Sequence, residues 1–237
     1  MATNGTMATN GIKQHQDDHT ESLEFCIRHR HSIRFYKPDP VPQETLHECL
    51  ALAQLAPSNS NIQNWRMTIA TGAARDRVVD ALLDEAKKHG PNVPPLPEQF
   101  KHFRSELGHE LYGDAGYAIP RSDKAGHAAA VLRNYEFFGA PVVAVITMQK
   151  DLTPVDAMSV GMFVQTFMLA MTERGLGSCL QVSVTGYPEV LQREFKLPDD
   201  QLILCGMAIG WPAQGCKVND MIIGREEVTK DVTFLGN

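Results

Sequence analysis

The segment from Val155 to Thr172 most limits how this chain can fold, because it reads as a helix that is apolar on nearly every side. Met158, Val160, Met162, Phe163, Val164, Phe167, Met168, Leu169 and Met171 leave no polar stripe to face water. Such a helix has to be covered around most of its circumference. Ser159, Gln165 and Thr166 interrupt it, and it falls short of the ~20 apolar residues that a membrane span needs. It is therefore expected to be a core helix, or one shared across a dimer interface. A chain of 237 residues can bury such a core in one domain without disulfides or metals.

The remaining pattern supplies the covering layers. Helical spacing of apolar residues marks 21–30, 44–56, 73–89, 123–138 and 188–195, and a more polar helix over 98–111. Strands are expected at 65–70, 141–148, 179–184 and 202–209, with an extended stretch at 32–36. Four prolines and a glycine make 90–97 a lid-like loop, and 112–119 is a Gly-rich link. Helices outnumber and separate the strands, which indicates an α+β fold with helices on both faces of one sheet. The tail from Gly215 has few anchors and is expected to pack on something else, such as a second subunit. Residues 1–20 carry a repeated MATNG string and read as a disordered lead-in, leaving 21–237 as the domain.

Several function classes drop out. A net charge of -6 argues against nucleic-acid binding, which calls for a basic face. The five cysteines are widely spaced with no C-x-x-C pair, neither a disulfide framework nor a zinc site, and point to a reduced, cytoplasmic compartment. The nine histidines show no metal-ligand spacing, so no metal is expected. G-x-G-x-x-G after a strand, the P-loop and the nucleophile elbow G-x-S-x-G are all absent, as are the n-region and h-region of a signal peptide.

Three segments remain as candidates for chemistry. In an extended chain Arg30, Ser32 and Arg34 share one face, and two guanidiniums with a hydroxyl can hold a phosphate dianion. The same residues would equally make a solvated basic turn after a helix, favoured by its C-terminal dipole. The loop Ser58-Asn59-Ser60-Asn61-Ile62-Gln63-Asn64 is dense in amides and hydroxyls that could satisfy the edge of a heteroaromatic ring, or simply form a surface turn. Gly175-Leu176-Gly177-Ser178-Cys179-Leu180-Gln181 marks a helix stop followed by a strand. Cys179 lies in apolar surroundings that raise a thiol pKa, so it reads as structural and not as a nucleophile.

Taken in order, these segments resemble the FMN-dependent nitroreductase family. Arg30-His31-Ser32-Ile33-Arg34 matches its R-x-S-x-R, and Ala56 to Trp65 matches A-P-S-x-x-N-x-Q-P-W with Asn64 in place of the proline. Gly175 to Cys179 matches G-L-G-S-C, and Arg225 matches a basic residue near the C-terminus. His109 to Gly113, Arg133 to Pro141 and Gly161 to Phe163 resemble the nitrobenzoate-reductase-like branch, and the similarity runs from about Phe25 to the end. The resemblance implies a central mixed or antiparallel sheet flanked by helices, in an intertwined homodimer with FMN at the interface. It implies that Arg30, Ser32, Arg34 and Arg225 hold the flavin phosphate, with His31 adjacent. Pro57, Ser58, Asn59 and Asn61 would come from the partner chain, and backbone groups of Gln181, Val182 and Ser183 would lie near the hydride-accepting N5. It implies reduction of nitroaromatic or similar small aromatic acceptors by NAD(P)H in ping-pong fashion, with the chemistry carried by the cofactor and no catalytic side chain. Rival readings are a flavin enzyme that oxidises a natural-product intermediate and a flavin-binding protein without turnover.

Overall fold

The structure, a computed structural model, describes residues 22–236; the disordered lead-in expected at 1–20 lies outside the described residues. Four strands form one sheet in the order β1-β2-β4-β3: β1 Arg66–Thr71, β2 Val142–Gln149, β3 Gly177–Gln181 and β4 Gln201–Gly210. Among the described residues every strand pairing is antiparallel, and the single parallel link is an isolated bridge between Ser32 and Ser178.

β2 shows why both faces of this sheet carry helices. It is buried from Val142 to Met148, and alternate residues enter two different cores. Val142, Ala144, Ile146 and Met148 face the core built with α2 (Gln43–Ala53) and α6 (Pro154–Glu173). Val143 and Val145 face the other, with α3 (Gly72–His89) and α7 (Pro188–Glu194). An antiparallel strand buried on both faces reads as a continuous apolar run rather than an alternation.

α6 begins with a capping box, in which the Asp156 carboxylate accepts from the Thr153 amide at 2.9 Å and hydroxyl at 2.8 Å. Its 20 residues are long and apolar enough for a membrane span, two residues beyond the stretch read from sequence, yet half of it is buried inside the chain. Phe163, Phe167 and Met171 are buried in the core, each worth about 1.5–3 kcal/mol by its removal from water. Trp65 stacks on Phe163 with ring centroids 5.0 Å apart. The opposite side, with Val155, Met158 and Met162, is exposed within one chain. Coverage on most sides is therefore only half realised by this chain.

Four sequence expectations change. The helix expected over 123–138 is α5, Lys124–Leu132; Phe137 and Phe138 take φ of 49° and 57° and bury their rings, a conformation that no helix continues through. The strand expected at 179–184 runs instead over β3 and gives way to a 3-10 turn at Ser183–Gly186. The polar helix splits into a 3-10 turn at Glu98–Phe100 and α4, Lys101–Tyr112, with no buried residue. The tail is anchored on its own chain at α8, Lys217–Asp220, where Val218 and Asn219 are buried. Beyond it Ile222, Phe234 and Leu235 are exposed, past the short α9, Val228–Asp231.

Candidate functional site

The site starts where α1 (Leu23–His29) ends. Ser22 caps this helix at the Phe25 amide, and Arg28 pairs with Glu24 at 2.7 Å, away from the basic cluster that follows. Arg30 turns the chain into extended backbone, and the Ile33 amide then donates to the Ser178 carbonyl at 3.0 Å. This close approach depends on Gly177. A Cβ there would lie 2.6 Å from Ile33 Cγ1 and would push the 30–34 segment off the sheet. Gly175, at φ 73°, makes the left-handed exit from α6 that a side chain would strain. The second glycine of the G-L-G-S-C motif is thus there for contact, and the first for backbone conformation.

Period two then brings Arg30, Ser32 and Arg34 around Cys179, as the alternation requires. Burial pushes the Cys179 thiol up, an effect partly opposed by the charges of Arg34 and Arg30 and by a hydrogen bond with Ser32. A neutral buried thiol is no nucleophile. Burial first, and then the like charge of Arg225, lower the Arg30 guanidinium; nearby Cys179 opposes this. Arg225 therefore joins the cluster from the tail. Among the described residues none of Arg30, Arg34 and Arg225 forms an ion pair with a carboxylate. Their hydrogen bonds go to nearby carbonyls: Arg34 to Ser32 at 3.4 Å, Arg225 to Ile223 at 2.7 Å and Gly224 at 2.9 Å. Three guanidiniums gathered without an acid repel one another until an anion joins them.

Two asparagines that sequence reasoning missed hold this arrangement. Asn219, from α8, accepts from the Arg34 and Phe35 amides at 2.8 and 3.1 Å and donates to the Phe35 and Ala213 carbonyls at 2.8 and 3.1 Å. The ring nitrogens of His31 face the carbonyls of His29 and Asn219. On the other side, Arg133 lies 4.0 Å over the Phe35 ring and donates to the Arg34 carbonyl at 3.0 Å and to the Phe138 carbonyl at 3.2 Å. The next residue, Asn134, accepts from Gln181 Nε2 at 2.7 Å through its carbonyl and from the Ser183 hydroxyl at 3.3 Å through its side chain. One corner, 133–134, thereby fixes both the basic segment and the end of β3. No local pattern marks either asparagine: the site segments they tie are 47 or more residues away in sequence, alongside local bonds to the Ala213 and Val131 carbonyls.

Gln181 is buried and its Oε1 has no partner among the described residues, while Val182 is exposed and Ser183 opens the 3-10 turn. The Pro-rich loop docks here: Asn92 donates to the Gly186 carbonyl at 2.7 Å, and the Tyr187 hydroxyl to the Gly90 carbonyl.

Ser58, Asn59 and Asn61 are not brought to this cluster. Asn59 and Asn64 bond the first turn of α6 at Asp156, at 3.5 and 2.9 Å, whereas His29, Arg30 and Glu173 share a pocket at its other end. At 1.5 Å per residue the two ends of α6 lie about 25 Å apart. Ser58 accepts from the Gln63 amide at 3.0 Å, and Ser60, Asn61 and Gln63 all adopt left-handed φ. Asn64, in the place of a proline, is buried and substitutes an amide anchor for the ring's rigidity. Pro57 lines an exposed apolar groove of about 640 Å³ with Leu23, Leu52, Leu55 and Leu169, between α1, α2 and α6.

Fold and cluster together define an α+β protein with three guanidiniums gathered at the end of an antiparallel sheet, not far from a buried glutamine. Residues 27–211 match the nitroreductase family, and the chain belongs to that family. It is 35% identical to the nitrobenzene nitroreductase of Ectopseudomonas oleovorans, over 90% of this chain and 96% of that one. Against the 4-nitrobenzoate reductase of Pseudomonas putida the identity is 31%, over 92% and 97%. The crystal structure of the FMN-dependent nitroreductase NfnB from Mycobacterium smegmatis in complex with NADPH superposes with a TM-score of 0.82 at 30% identity, covering 90% of this chain and 97% of that one.

Proposed function

We propose that this protein is an FMN-dependent NAD(P)H oxidoreductase of the nitroreductase type, reducing nitroaromatic or similar electron-poor small molecules. The observation that carries the reading is the acid-free cluster of Arg30, Arg34 and Arg225 around Ser32 in a chain of this family. A phosphate dianion fits it, because it relieves the repulsion and meets guanidinium donors. The unpaired Oε1 of buried Gln181 is the second sign of fit, since a buried acceptor without a partner is costly until a donor arrives.

When bound, FMN would supply the hydride chemistry between NAD(P)H and the acceptor, which gives ping-pong kinetics. The chain's own residues bind and orient. Arg30, Ser32, Arg34 and Arg225 would hold the phosphate, with His31 bracing the segment against the tail. Gln181, Val182 and Ser183 would border the reacting edge of the ring, and Asn134 fixes the first and last of them. No acid, base or nucleophile is assigned, in keeping with the neutral thiol of Cys179.

The protein works as a homodimer in which Pro57, Ser58, Asn59 and Asn61 serve the partner's flavin. The distance of Asn59 from the basic cluster of its own chain supports this, as do the apolar groove at Pro57 and the exposed Met158 and Met162 of α6. The wide spacing of the cysteines at 26, 49, 179, 205 and 216, with no C-x-x-C pair, suits a reducing cytoplasm.

The test is an absorbance spectrum of the purified protein, followed by anaerobic NADH or NADPH and then a nitrobenzoate. Flavin bands that bleach with the nicotinamide and return with the nitroarene are expected. Bands that no nicotinamide bleaches would refute the hydride-donor assignment, and absence of bands after incubation with FMN would refute the cofactor. A flavin-loaded monomer persisting on dilution would refute the shared site.

A further inference from the structure

Besides Asn219 and Arg133, a third element grips the basic segment: the turn that follows α4. There the chain folds back on itself, with the Tyr117 amide donating to the Leu111 carbonyl at 2.8 Å and the Ala118 amide to the Gly113 carbonyl at 2.9 Å. Gly116 permits this reversal, since a Cβ there would lie 2.0 Å from the Leu111 carbonyl oxygen. Lys217, on the same short helix as Asn219, donates to the Asp114 carbonyl at 3.3 Å and pins the turn to α8. The turn delivers Tyr117 onto Phe35, with ring centroids 6.0 Å apart and planes inclined at 59°. Tyr112 backs Tyr117, its centroid 6.0 Å away and its plane inclined at 24°.

Phe35 therefore carries two contacts, the Tyr117 ring and the Arg133 guanidinium 4.0 Å over it. Tyr117 and Arg133 also face each other. The Tyr117 hydroxyl oxygen and Arg133 Nε are both buried without a well-formed hydrogen bond among the described residues. The guanidinium lies against the phenol, whose oxygen can accept the Nε proton. A buried donor and acceptor are costly apart, so the pair draws the turn and the 133–134 corner together at Phe35. Arg34 is close to the same rings. Burial pushes the Tyr117 phenol up, opposed by the charges of Arg133 and then Arg34, and it pushes Tyr112 up against the charge of Arg34.

The grip on Phe35 decides where Arg34 points. Among the described residues the Arg34 guanidinium has one hydrogen bond, to the Ser32 carbonyl at 3.4 Å, and it shares the surroundings of Cys179 with Arg30. A long side chain held by one weak bond and repelled by a like charge keeps a single orientation only if its backbone and neighbours are fixed. We propose that Tyr117 is a positioning residue for the cofactor: through Phe35 and Arg133 it fixes Arg34 in the orientation that holds FMN. It acts through Arg34 and needs no contact of its own with the cofactor. The role rests on the flavin reading and extends the binding apparatus to the turn after α4.

The test follows release of FMN from FMN-saturated full-length protein by flavin fluorescence after dilution, in wild type, Y117L, Y117F, R34A and Y117L/R34A. Y117L is expected to release FMN about tenfold faster than wild type, while Tm of the flavin-free chain moves by under about 4 °C. Y117F keeps the ring on Phe35 and loses only the acceptor for Arg133, so about threefold faster release is expected. In the R34A background the added Y117L should accelerate release by less than about twofold, because the residue through which it acts is gone. A merely structural role predicts the same acceleration in both backgrounds, and that result overturns the proposal. Wild-type release in Y117L also overturns it, and wild-type release in Y117F, the variant that disturbs packing least, overturns the part given to the hydroxyl. An R34A protein that releases FMN as slowly as wild type removes the assignment of Arg34 itself, and the role of Tyr117 falls with it.

Discussion

Asn219→Ala removes the side chain on which the basic segment most depends. Asn219 is 4% exposed and makes four hydrogen bonds, to the Arg34 and Phe35 amides and the Phe35 and Ala213 carbonyls. Each bond contributes about 0.5–1.5 kcal/mol net, so the four together hold about 2–6 kcal/mol. Water reaching the half-buried segment recovers part of this, and a loss of about 3 kcal/mol is expected. In a domain of this size 1 kcal/mol moves Tm by about 2–4 °C, which gives a fall of about 6–12 °C. Because the loss lands on the backbone that carries Arg34, flavin retention should fall with stability, and excess FMN should restore part of the Tm by mass action. Scanning calorimetry with and without FMN, together with the flavin-to-chain ratio after gel filtration, reads both effects. A Tm within about 2 °C of wild type, with full flavin content, would show that Asn219 does not position the segment.

The other predictions concern separate parts of the molecule. Arg34→Ala and Arg225→Ala should each lower flavin content several-fold while shifting Tm of the flavin-free protein by under about 2 °C; wild-type flavin content in both removes the phosphate assignment. Gly186→Ala places a Cβ 1.5 Å from the Asn92 carbonyl oxygen, so the 90–97 loop has to move at a cost of about 1–3 kcal/mol. Limited proteolysis should cut that loop several-fold faster, and an unchanged rate would show that the docking is unimportant. The Asp156 carboxylate is held below the ordinary aspartate range by bonds from the Thr153 amide and hydroxyl, with a smaller contribution from Asn59. Its stabilising effect is therefore fully present above the ordinary aspartate value and is lost as pH falls through the lowered one. Denaturant midpoints for Asp156→Asn should vary less with pH across that acid window than those of wild type, and parallel curves would contradict this.

Most elements were legible because their signals are local. The apolar run of β2, the helical spacing of α3 and the left-handed glycine after α6 each depend on residues a few positions apart. The alternation through Arg30, Ser32 and Arg34 foretold a common face, and the structure gathers all three at Cys179. Where local pattern misled, a tertiary contact had won. Spacing carries a helix on to Phe138, but Arg133 is drawn to the Arg34 and Phe138 carbonyls, and two phenylalanines accept left-handed φ to bury their rings. A basic residue near the C-terminus could be read from the sequence, whereas the anchoring of the tail by Asn219 could not.

The sequence by itself determined the family, the two-sided sheet, the motifs around Arg30, Asn59 and Gly175, and the reading of Cys179 as an inert thiol, because chain periodicity and residue chemistry carry that information. Only the tertiary structure decided which residues meet. It brought Arg225 beside Arg30 across nearly the whole chain, bound the 30–34 segment between Asn219 and Arg133, and set Asn59 at the far end of α6 from the arginines. Those contacts join segments tens to nearly two hundred residues apart. They come from packing two cores on opposite faces of one sheet, and no short stretch of sequence records that packing.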